Sequence, residues 1–389
     1  MNLSIIFVHY HTPELLKAAI DAVRREGSST GMELEIIVVD NGSTAADACL
    51  LKSLSVLLIQ PGENLGYAGG VNRGVAACTT NKFIIMNPDV MVLPGCLEHL
   101  INALQQGAAA AGPRFFADHG LRVMMPPLVE KTRHAELVRR LSVLGEAWAL
   151  KARRAWRQQA RRHWSAKEPI KSYDLVGAML AIRRDAWEAV GPFDEAFALY
   201  YEEMDWLRRL KAHHIEARYV PNAKAIHYFA QSTIKESKAD QWFQESTRLF
   251  QDRYYGWLFN RCLDWGSRLG RLIFAGRGNV PLNEIVEGIP RLDELPHKIN
   301  REQAWIELSL DPSGFPAAAC SLKPAIEESA IEEAAIEEPG WMLPQAMWDR
   351  LSPGSYTIRL VSPDDHEHLI SHFRKLPVPS AAAHHEPNI

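Results

Sequence analysis

The apolar run Phe83-Ile84-Ile85-Met86 breaks off in Asn87-Pro88-Asp89, and this stretch restricts the possible folds more than any other. Apolar residues without alternation read as a strand buried on both faces, the pattern of a parallel sheet covered by helices. Pro88 has no N–H for a ladder, so the strand stops and Asp89 is left at its carboxyl end. Open α/β sheets bind ligands at the carboxyl ends of their strands. An acidic group held on that edge is a natural place for a divalent cation. The same three residues are also ordinary turn chemistry, and the stretch alone leaves both readings open.

The preceding segments supply the rest of such a sheet. Residues 3–8 (Leu-Ser-Ile-Ile-Phe-Val) read as a first buried strand, followed by a loop at His9-Tyr10-His11-Thr12-Pro13. Thr12 can cap a helix with Pro13 in its first position and Leu15, Leu16, Ala19, Ile20 and Val23 at helical spacing. Residues 35–40 form the second strand, with the turn Asn41-Gly42-Ser43-Thr44 after it, and residues 56–59 the third. Strand, helix, strand in this order makes a parallel βαβ unit. It sets Asp40 on the same edge as His9 and Tyr10, where it can accept a hydrogen bond from a nucleobase or ribose. Asn64-Leu65-Gly66-Tyr67-Ala68-Gly69-Gly70-Val71-Asn72-Arg73-Gly74 then lets backbone approach a ligand closely, before entering a helix through Val71, Val75 and Ala76. Its amides are candidates to face a phosphate.

Composition limits the classes. A chain of 389 residues fits about two domains, and a net charge of −4 gives no reason to expect a nucleic-acid partner. Five scattered cysteines lack metal-site spacing and fit a reducing compartment. No basic leader precedes the first strand and no apolar stretch reaches a membrane span. The expected location is cytoplasmic, at most at the inner face of the cytoplasmic membrane.

Taken in order, these motifs resemble family 2 glycosyltransferases of GT-A type, most closely the bacterial rhamnosyltransferase-like members. The likeness runs on through Asp174-Leu175-Val176-Gly177-Ala178-Met179-Leu180, Val190-Gly191-Pro192-Phe193-Asp194-Glu195 and Tyr200-Tyr201-Glu202-Glu203-Met204-Asp205-Trp206. It closes at Ile226-His227-Tyr228 through Ser232, so it covers about the first 260 residues, with gaps between about 115 and 170. It implies a Rossmann-like, mostly parallel central sheet flanked by helices. It also implies transfer of a sugar from a nucleotide-diphosphate donor.

The resemblance assigns a metal, Mn²⁺ or Mg²⁺, to Asp89 and His227, the imidazole favouring Mn²⁺. It gives the nucleotide-sugar contacts to Val8, Tyr10, Asp40, Gly66, Ala68, Asn72, Asn87, Gly177 and Glu202. The general base falls on Glu203, a Glu where the family more often has Asp, with Asp205 in reserve. Arg209 matches the family's arginine on this helix, and equally reads as a solvated surface residue. Carboxylates in a first helical turn also simply complement the helix dipole.

Several segments lie outside the motifs. Residues 128–170 form a basic insertion in which Leu137, Leu141, Leu144, Trp148 and Trp156 share one helical stripe. It reads as a membrane-surface helix that brings the site to a lipid-linked acceptor, or as a lid packed on the core. Residues 236–280 read as helices broken at Gly256 that cover a catalytic domain of residues 1–235. Residues 281–375 read as a small β-rich domain, with alternating strands at 305–310 and 355–361, a turn at Ser352-Pro353-Gly354 and an acidic low-complexity run at 325–338. Residues 376–389 read as a disordered tail.

The expectation is therefore an inverting glycosyltransferase with a carboxylate base, L-rhamnose from dTDP-L-rhamnose being the donor the resemblance favours. The acceptor would be a saccharide or lipid-linked saccharide in surface polysaccharide assembly. UDP-hexose or UDP-galactofuranose is the rival donor. A non-catalytic nucleotide-sugar or polysaccharide-binding subunit is the rival of another class.

Overall fold

The structure, a computed structural model, describes residues 2–129, 131–142, 145–228, 238–274, 283–285, 291–292, 304–309, 316–321, 341–343, 348, 351 and 354–375. The acidic run at 325–338, the tail, Leu144, Ser232 and the Ser352-Pro353 turn lie outside the described residues. The chain divides into two compact units, Met1–His119 with Pro127–Ala275, and Gly120–Pro126 with Gly276–Ile389.

The first unit begins β1 (Asn2–His9), α1 (Pro13–Thr30), β2 (Glu33–Asp40), α2 (Ala45–Lys52) and β3 (Leu57–Ile59). Then come α3 (Gly66–Ala77), β4 (Lys82–Met86), β5 (Val90–Val92), α4 (Cys96–Gln105) and β6 (Ala110–Phe116). A short strand of the second unit, β7 (Val123–Met124), intervenes. The first unit resumes with α5 (Arg133–Leu141), α6 (Glu146–Trp164), β8 (Ile170–Lys171), β9 (Met179–Arg183), α7 (Arg184–Val190), α8 (Glu202–Ala212) and β10 (Ala217–His227). It ends with α9 (Ala239–Tyr255) and α10 (Trp257–Phe274).

Its sheet runs β3-β2-β1-β4-β9-β6-β10. The β3–β2, β2–β1, β1–β4 and β6–β10 pairs are parallel, and β9 is antiparallel to both its neighbours. Burial explains the composition: Leu3, Ile5, Ile6 and Phe7 of β1 and Phe83, Ile84, Ile85 and Met86 of β4 are wholly enclosed. Helix α1 turns Leu16, Ala19, Ile20 and Val23 inward, as its spacing requires. Thr12 precedes it without a side-chain capping bond; instead its N–H donates to His9 Nε2 at 3.0 Å.

The glycine-rich segment departs from expectation. Helix α3 starts at Gly66, five residues before Val71, so most of its glycines are helical. A Cβ on Gly70 would lie 2.7 Å from Val8 Cγ1, and one on Gly74 2.4 Å from Ile6 Cγ2. Gly70 and Gly74 are one helical turn apart, as Val8 and Ile6 are one strand repeat apart, so these glycines seat α3 against β1. Close approach is to the sheet, not to a ligand.

The basic insertion is two helices. The buried face of α6 carries Ala149, Ala152, Arg153, Trp156, Arg157, Ala160 and His163, and α5 buries Glu136 and Val138. Arg153 and Arg157 are enclosed despite their charge, and Trp156 stands edge-on to Trp164 at 5.6 Å. Of the tryptophans on the expected stripe, only Trp148 is exposed. No helix among the described residues is long and apolar enough to cross a membrane. Gly256, at φ +90°, separates α9 from α10.

The second unit holds β7 with β11 (Asn283–Ile285), β12 (Arg291–Leu292), β13 (Trp305–Ser309), β14 (Ala318–Ser321), β15 (Trp341–Met342), β16 (Gly354–Val361) and β17 (Glu367–Lys375). Strands β7, β14, β13, β16 and β17 pair antiparallel in that order, with β11 parallel to β17. Strands β13 and β16 are buried on both faces, not half-buried as their alternation suggests: Ile306, Leu308, Tyr356, Ile358 and Leu360 are enclosed, and so are the intervening Glu307, Thr357 and Arg359. Tyr356 stacks on Phe373 at 5.3 Å.

Candidate active site

Because β1, β2 and β4 are parallel neighbours, their carboxyl ends deliver His9, Asp40 and the Asn87-Pro88-Asp89 segment to one edge. The Asn-Pro-Asp segment is both a turn and a site element. Val90 N–H donates to Asn87 O at 3.2 Å, closing the turn, and Asn87 N–H donates to Ala178 O. The turn feeds β5, which pairs antiparallel with the end of β10 and sets Val90 opposite His227. Asp89 Oδ1 therefore stands 3.5 Å from His227 Nε2, although the two are 138 positions apart in the chain. Both side chains are buried.

Asp40 is held rigidly. It is the register partner of His9 and accepts hydrogen bonds from the Ser43 amide and hydroxyl and from Gln60 Nε2. His9 Nδ1 lies 3.4 Å from it, and the Thr12 amide at Nε2 places the ring proton on Nδ1. Burial by itself would raise the Asp40 carboxyl, but the bonds from His9, Ser43 and Gln60 outweigh it and hold the group well below the usual carboxylate range.

Helix α8 presents Glu202 and Glu203 to the same region, after two consecutive left-handed residues, Tyr200 (φ 65°) and Tyr201 (φ 73°). Non-glycine residues there cost about 1–2 kcal/mol each. Phe243 packs against both rings and Phe250 against Tyr201, which maintains the conformation. Glu203 lies on Gly177, where a Cβ would come within 2.8 Å of its Cγ. Glu202 Oε2, Glu203 Oε2 and Asn87 Oδ1 are buried with no hydrogen-bond donor from the protein. Desolvation raises both glutamate carboxyls, and Glu203's charge pushes Glu202 further. Lys131 partly opposes the rise at Glu203.

Asp205 has a different role. It is fully buried and accepts from Arg209 Nε at 2.9 Å, Arg253 Nη1 at 2.7 Å and Tyr254 OH at 2.7 Å. Oδ1 ties α8 to α9 and Oδ2 is held by Arg209 within α8, so both oxygens are engaged, which leaves Glu203 the more accessible candidate base. Arg209 also donates to Val190 O and Pro192 O, so it is a bracket between α8 and the end of α7 rather than a solvated residue.

Other candidates serve the scaffold. The Asn72 amide donates to Phe193 O and Glu195 Oε1 and accepts from Phe193 N–H, so its polar atoms go to clamping the 193–195 loop. Ala68 is fully buried in the core and Val8 packs on Gly70. The Leu65, Gly66 and Tyr67 amides are satisfied by Asn41 Oδ1, Asn64 Oδ1 and Ala198 O, so they do not face a phosphate. Gly66 itself, at φ +71°, has no room for a Cβ beside Ala198 O. Tyr10 stacks edge-on to His11 at the rim.

Two residues escaped the sequence reading. Tyr67 is partly buried, with its hydroxyl 3.3 Å from Gly177 O and within electrostatic reach of Glu202, Glu203 and Asp89; desolvation raises its phenol well above the usual range. Its signal was to be the lone aromatic among glycines. Lys131 donates to Tyr201 OH at 2.7 Å, and nothing in its local sequence marks it.

The family description Glycosyl transferase family 2 matches residues 4–191. An N-acetylglucosaminyl-diphospho-decaprenol L-rhamnosyltransferase of Mycobacterium tuberculosis is 30% identical over 257 residues, covering 59% of this chain and 78% of that protein. The chain belongs to glycosyl transferase family 2. It is a rhamnosyltransferase-like member, and its mixed α/β unit is of GT-A type. The low-salt glycan biosynthesis hexosyltransferase of Haloferax volcanii is 25% identical over 231 residues, 58% of this chain and 67% of that protein. A solved mannosyltransferase from Pyrobaculum calidifontis, in complex with GDP-Man and Mn2+, overlays with a TM-score of 0.42 at 15% identity, covering 72% of this chain and 76% of that one. The family match ends at residue 191, before Glu203 and His227.

Proposed function

We propose that this family 2 enzyme is an inverting transferase that moves L-rhamnose from dTDP-L-rhamnose to a saccharide or lipid-linked saccharide acceptor. The observation that supports it is the convergence of Asp89, His227 and the Glu203 carboxylate, whose Oε2 has no donor, around Tyr67 and Gly177. In a single displacement the acceptor hydroxyl oxygen bonds to the anomeric carbon while the bond from that carbon to the phosphate oxygen breaks. The nucleoside diphosphate leaves with the electron pair, and Glu203 takes the hydroxyl proton. A carboxyl raised by burial is a stronger base than one in water, which suits this task. One-sided attack inverts the anomeric centre.

Asp89 and His227 fit a divalent cation. A carboxylate and an imidazole 3.5 Å apart, with Asn87 Oδ1 buried and unpaired two residues from Asp89, suit Mn²⁺ or Mg²⁺. Among the described residues no group of three or more His, Cys, Asp or Glu is placed to hold a metal, so the donor's phosphate oxygens would complete the shell. When bound, such an ion offsets charge on the departing diphosphate. Asp40 and Tyr10 would hold the base and ribose, with Asn87, Gly177 and Glu202 around the sugar. The catalytic domain is taken as residues 1–235, covered by the helices of 236–280. The β-rich 281–375 carries no chemistry and is assigned to acceptor or partner contact. We place the enzyme in the cytoplasm, working on surface polysaccharide.

The hexosyltransferase relative favours a second reading, a UDP-hexose donor. Calorimetry with dTDP and UDP, each with and without Mn²⁺, separates them. Mn²⁺-dependent binding of dTDP over UDP, lost in Asp89→Ala, is the expected result. A preference for UDP selects the hexose reading, and binding of neither overturns both.

A further inference from the structure

Beside α8 lies a cavity of about 260 Å³ whose wall carries Lys131, Arg162, Lys171, Arg208 and Lys211 against a single carboxylate, Asp174. These cations come from four separate parts of the chain: the segment before α5, helix α6, strand β8 and helix α8. Bringing like charges together from distant elements costs energy unless an anion joins them. We propose that this cavity is a phosphate-ester site that takes the phosphate or diphosphate of the acceptor while the acceptor's sugar hydroxyl lies at Glu203. The proposal rests on the reading of Glu203 as the base.

The cations are set in place before any ligand arrives. Arg208 donates to Lys131 O, and its guanidinium lies over Tyr254 at 4.6 Å and Phe250 at 5.0 Å, so its planar fork is preset for paired phosphate oxygens. Lys171 and Lys211 both bear on the Tyr173 ring, at 5.9 and 5.7 Å. Arg162 donates to Lys171 O at 2.8 Å.

The cavity adjoins the candidate base. Met204, the residue after Glu203, lines it, and Met204, Arg208 and Lys211 form one stripe of α8. Lys131 borders both places, reaching Tyr201 OH and acting on Glu203. The charge pattern separates this cavity from the donor edge. Asp40, Asp89 and Glu202 are carboxylates, so a donor diphosphate there needs a cation brought from outside. The cavity supplies its own positive charge, which suits a second anion bound without metal.

The test is calorimetry of inorganic diphosphate with the full chain in EDTA, comparing wild type with Lys171→Gln/Lys211→Gln, two exposed positions. Affinity should fall about tenfold or more on losing two charge-assisted contacts. Mn²⁺-dependent dTDP binding should not change, which also reports an intact fold. Equal diphosphate affinity in the two proteins overturns the proposal. Vesicles of phosphatidylglycerol distinguish a lipid headgroup: loss of vesicle binding with diphosphate affinity kept overturns it in favour of a membrane patch. With active enzyme, the variant should raise KM about tenfold for a sugar diphosphate ester and leave KM for the alkyl glycoside of that sugar unchanged. An equal KM rise on both acceptors overturns the proposal. No transfer to either acceptor, with diphosphate binding still dependent on the two lysines, upholds the phosphate site and overturns the reading of Glu203.

Discussion

Replacing Asp205 by Asn should weaken the fold while leaving the chemistry in place. The carboxylate is fully buried and accepts from Arg209, Arg253 and Tyr254. Asn preserves the shape and one acceptor but sets an NH₂ against a donor and removes the charge. A hydrogen bond to a charged group contributes about 1.5–3 kcal/mol, and breaking a fully buried ion pair costs about 3–5 kcal/mol. Here the two arginine side chains are 29% and 35% exposed, so water recovers part of their charge and the full figure does not apply. The expected loss is about 2–3 kcal/mol, read as a lower urea midpoint with an unchanged slope. Turnover should fall less than about tenfold, and the acid limb of kcat/KM should stay where it is. A variant within about 0.5 kcal/mol of wild-type stability but with about 100-fold lower turnover would refute this reasoning and make Asp205 the base.

The converse holds at Glu203, where Glu203→Gln should cost about 10²–10⁴-fold in turnover, abolish the acid limb and keep donor affinity by calorimetry. Its carboxyl is raised in the folded protein, so the native state keeps a proton the unfolded chain has lost; stability therefore falls as pH rises from about 4.5 through the raised value, and Gln should make that slope shallower, leaving the share of Glu202 and Glu26. Glu26, buried between α1 and α4, is raised to about 7 by desolvation, although Leu97 N–H donates to it at 2.6 Å. Its penalty is absent below about 4.5 and complete above about 7, so Glu26→Gln should stabilise the protein by about 3 kcal/mol at pH 8 and by almost nothing at pH 4, measured by denaturation at the two pH values. Gly74→Ala adds a Cβ 2.4 Å from Ile6 Cγ2 in a closed core; overpacking of about 1–3 kcal/mol outweighs a helix-propensity gain of about 1 kcal/mol, so the melting temperature should drop.

Much of the site was legible in the chain because parallel βαβ units obey simple rules. Unalternating apolar runs gave β1, β2 and β4, and the strand ends place Asp40 and Asp89 on one edge. The glycine-rich segment was misread because permissive backbone suits a ligand and a tightly packed helix equally. Only the positions of Ile6 and Val8 under Gly74 and Gly70 distinguish the two. The basic insertion stays open between a membrane-surface helix and a packed lid for a related reason: helical periodicity shows that faces differ, but not which face is covered, and here the covered face includes Arg153 and Arg157.

Order and type of element, and the identity of the acidic and imidazole groups, follow from local pattern, since strand burial, turn chemistry and helix spacing act over a few residues. Pairing across the chain does not. His227 meets Asp89 because β10 returns antiparallel to β5, and Asp205 clamps α8 to α9 because Arg253 and Tyr254 arrive from α9. The five cations beside α8 likewise share a cavity only once four separate segments are folded together. Burial and charge neighbourhood, which decide what a carboxylate does, are properties of the assembled structure.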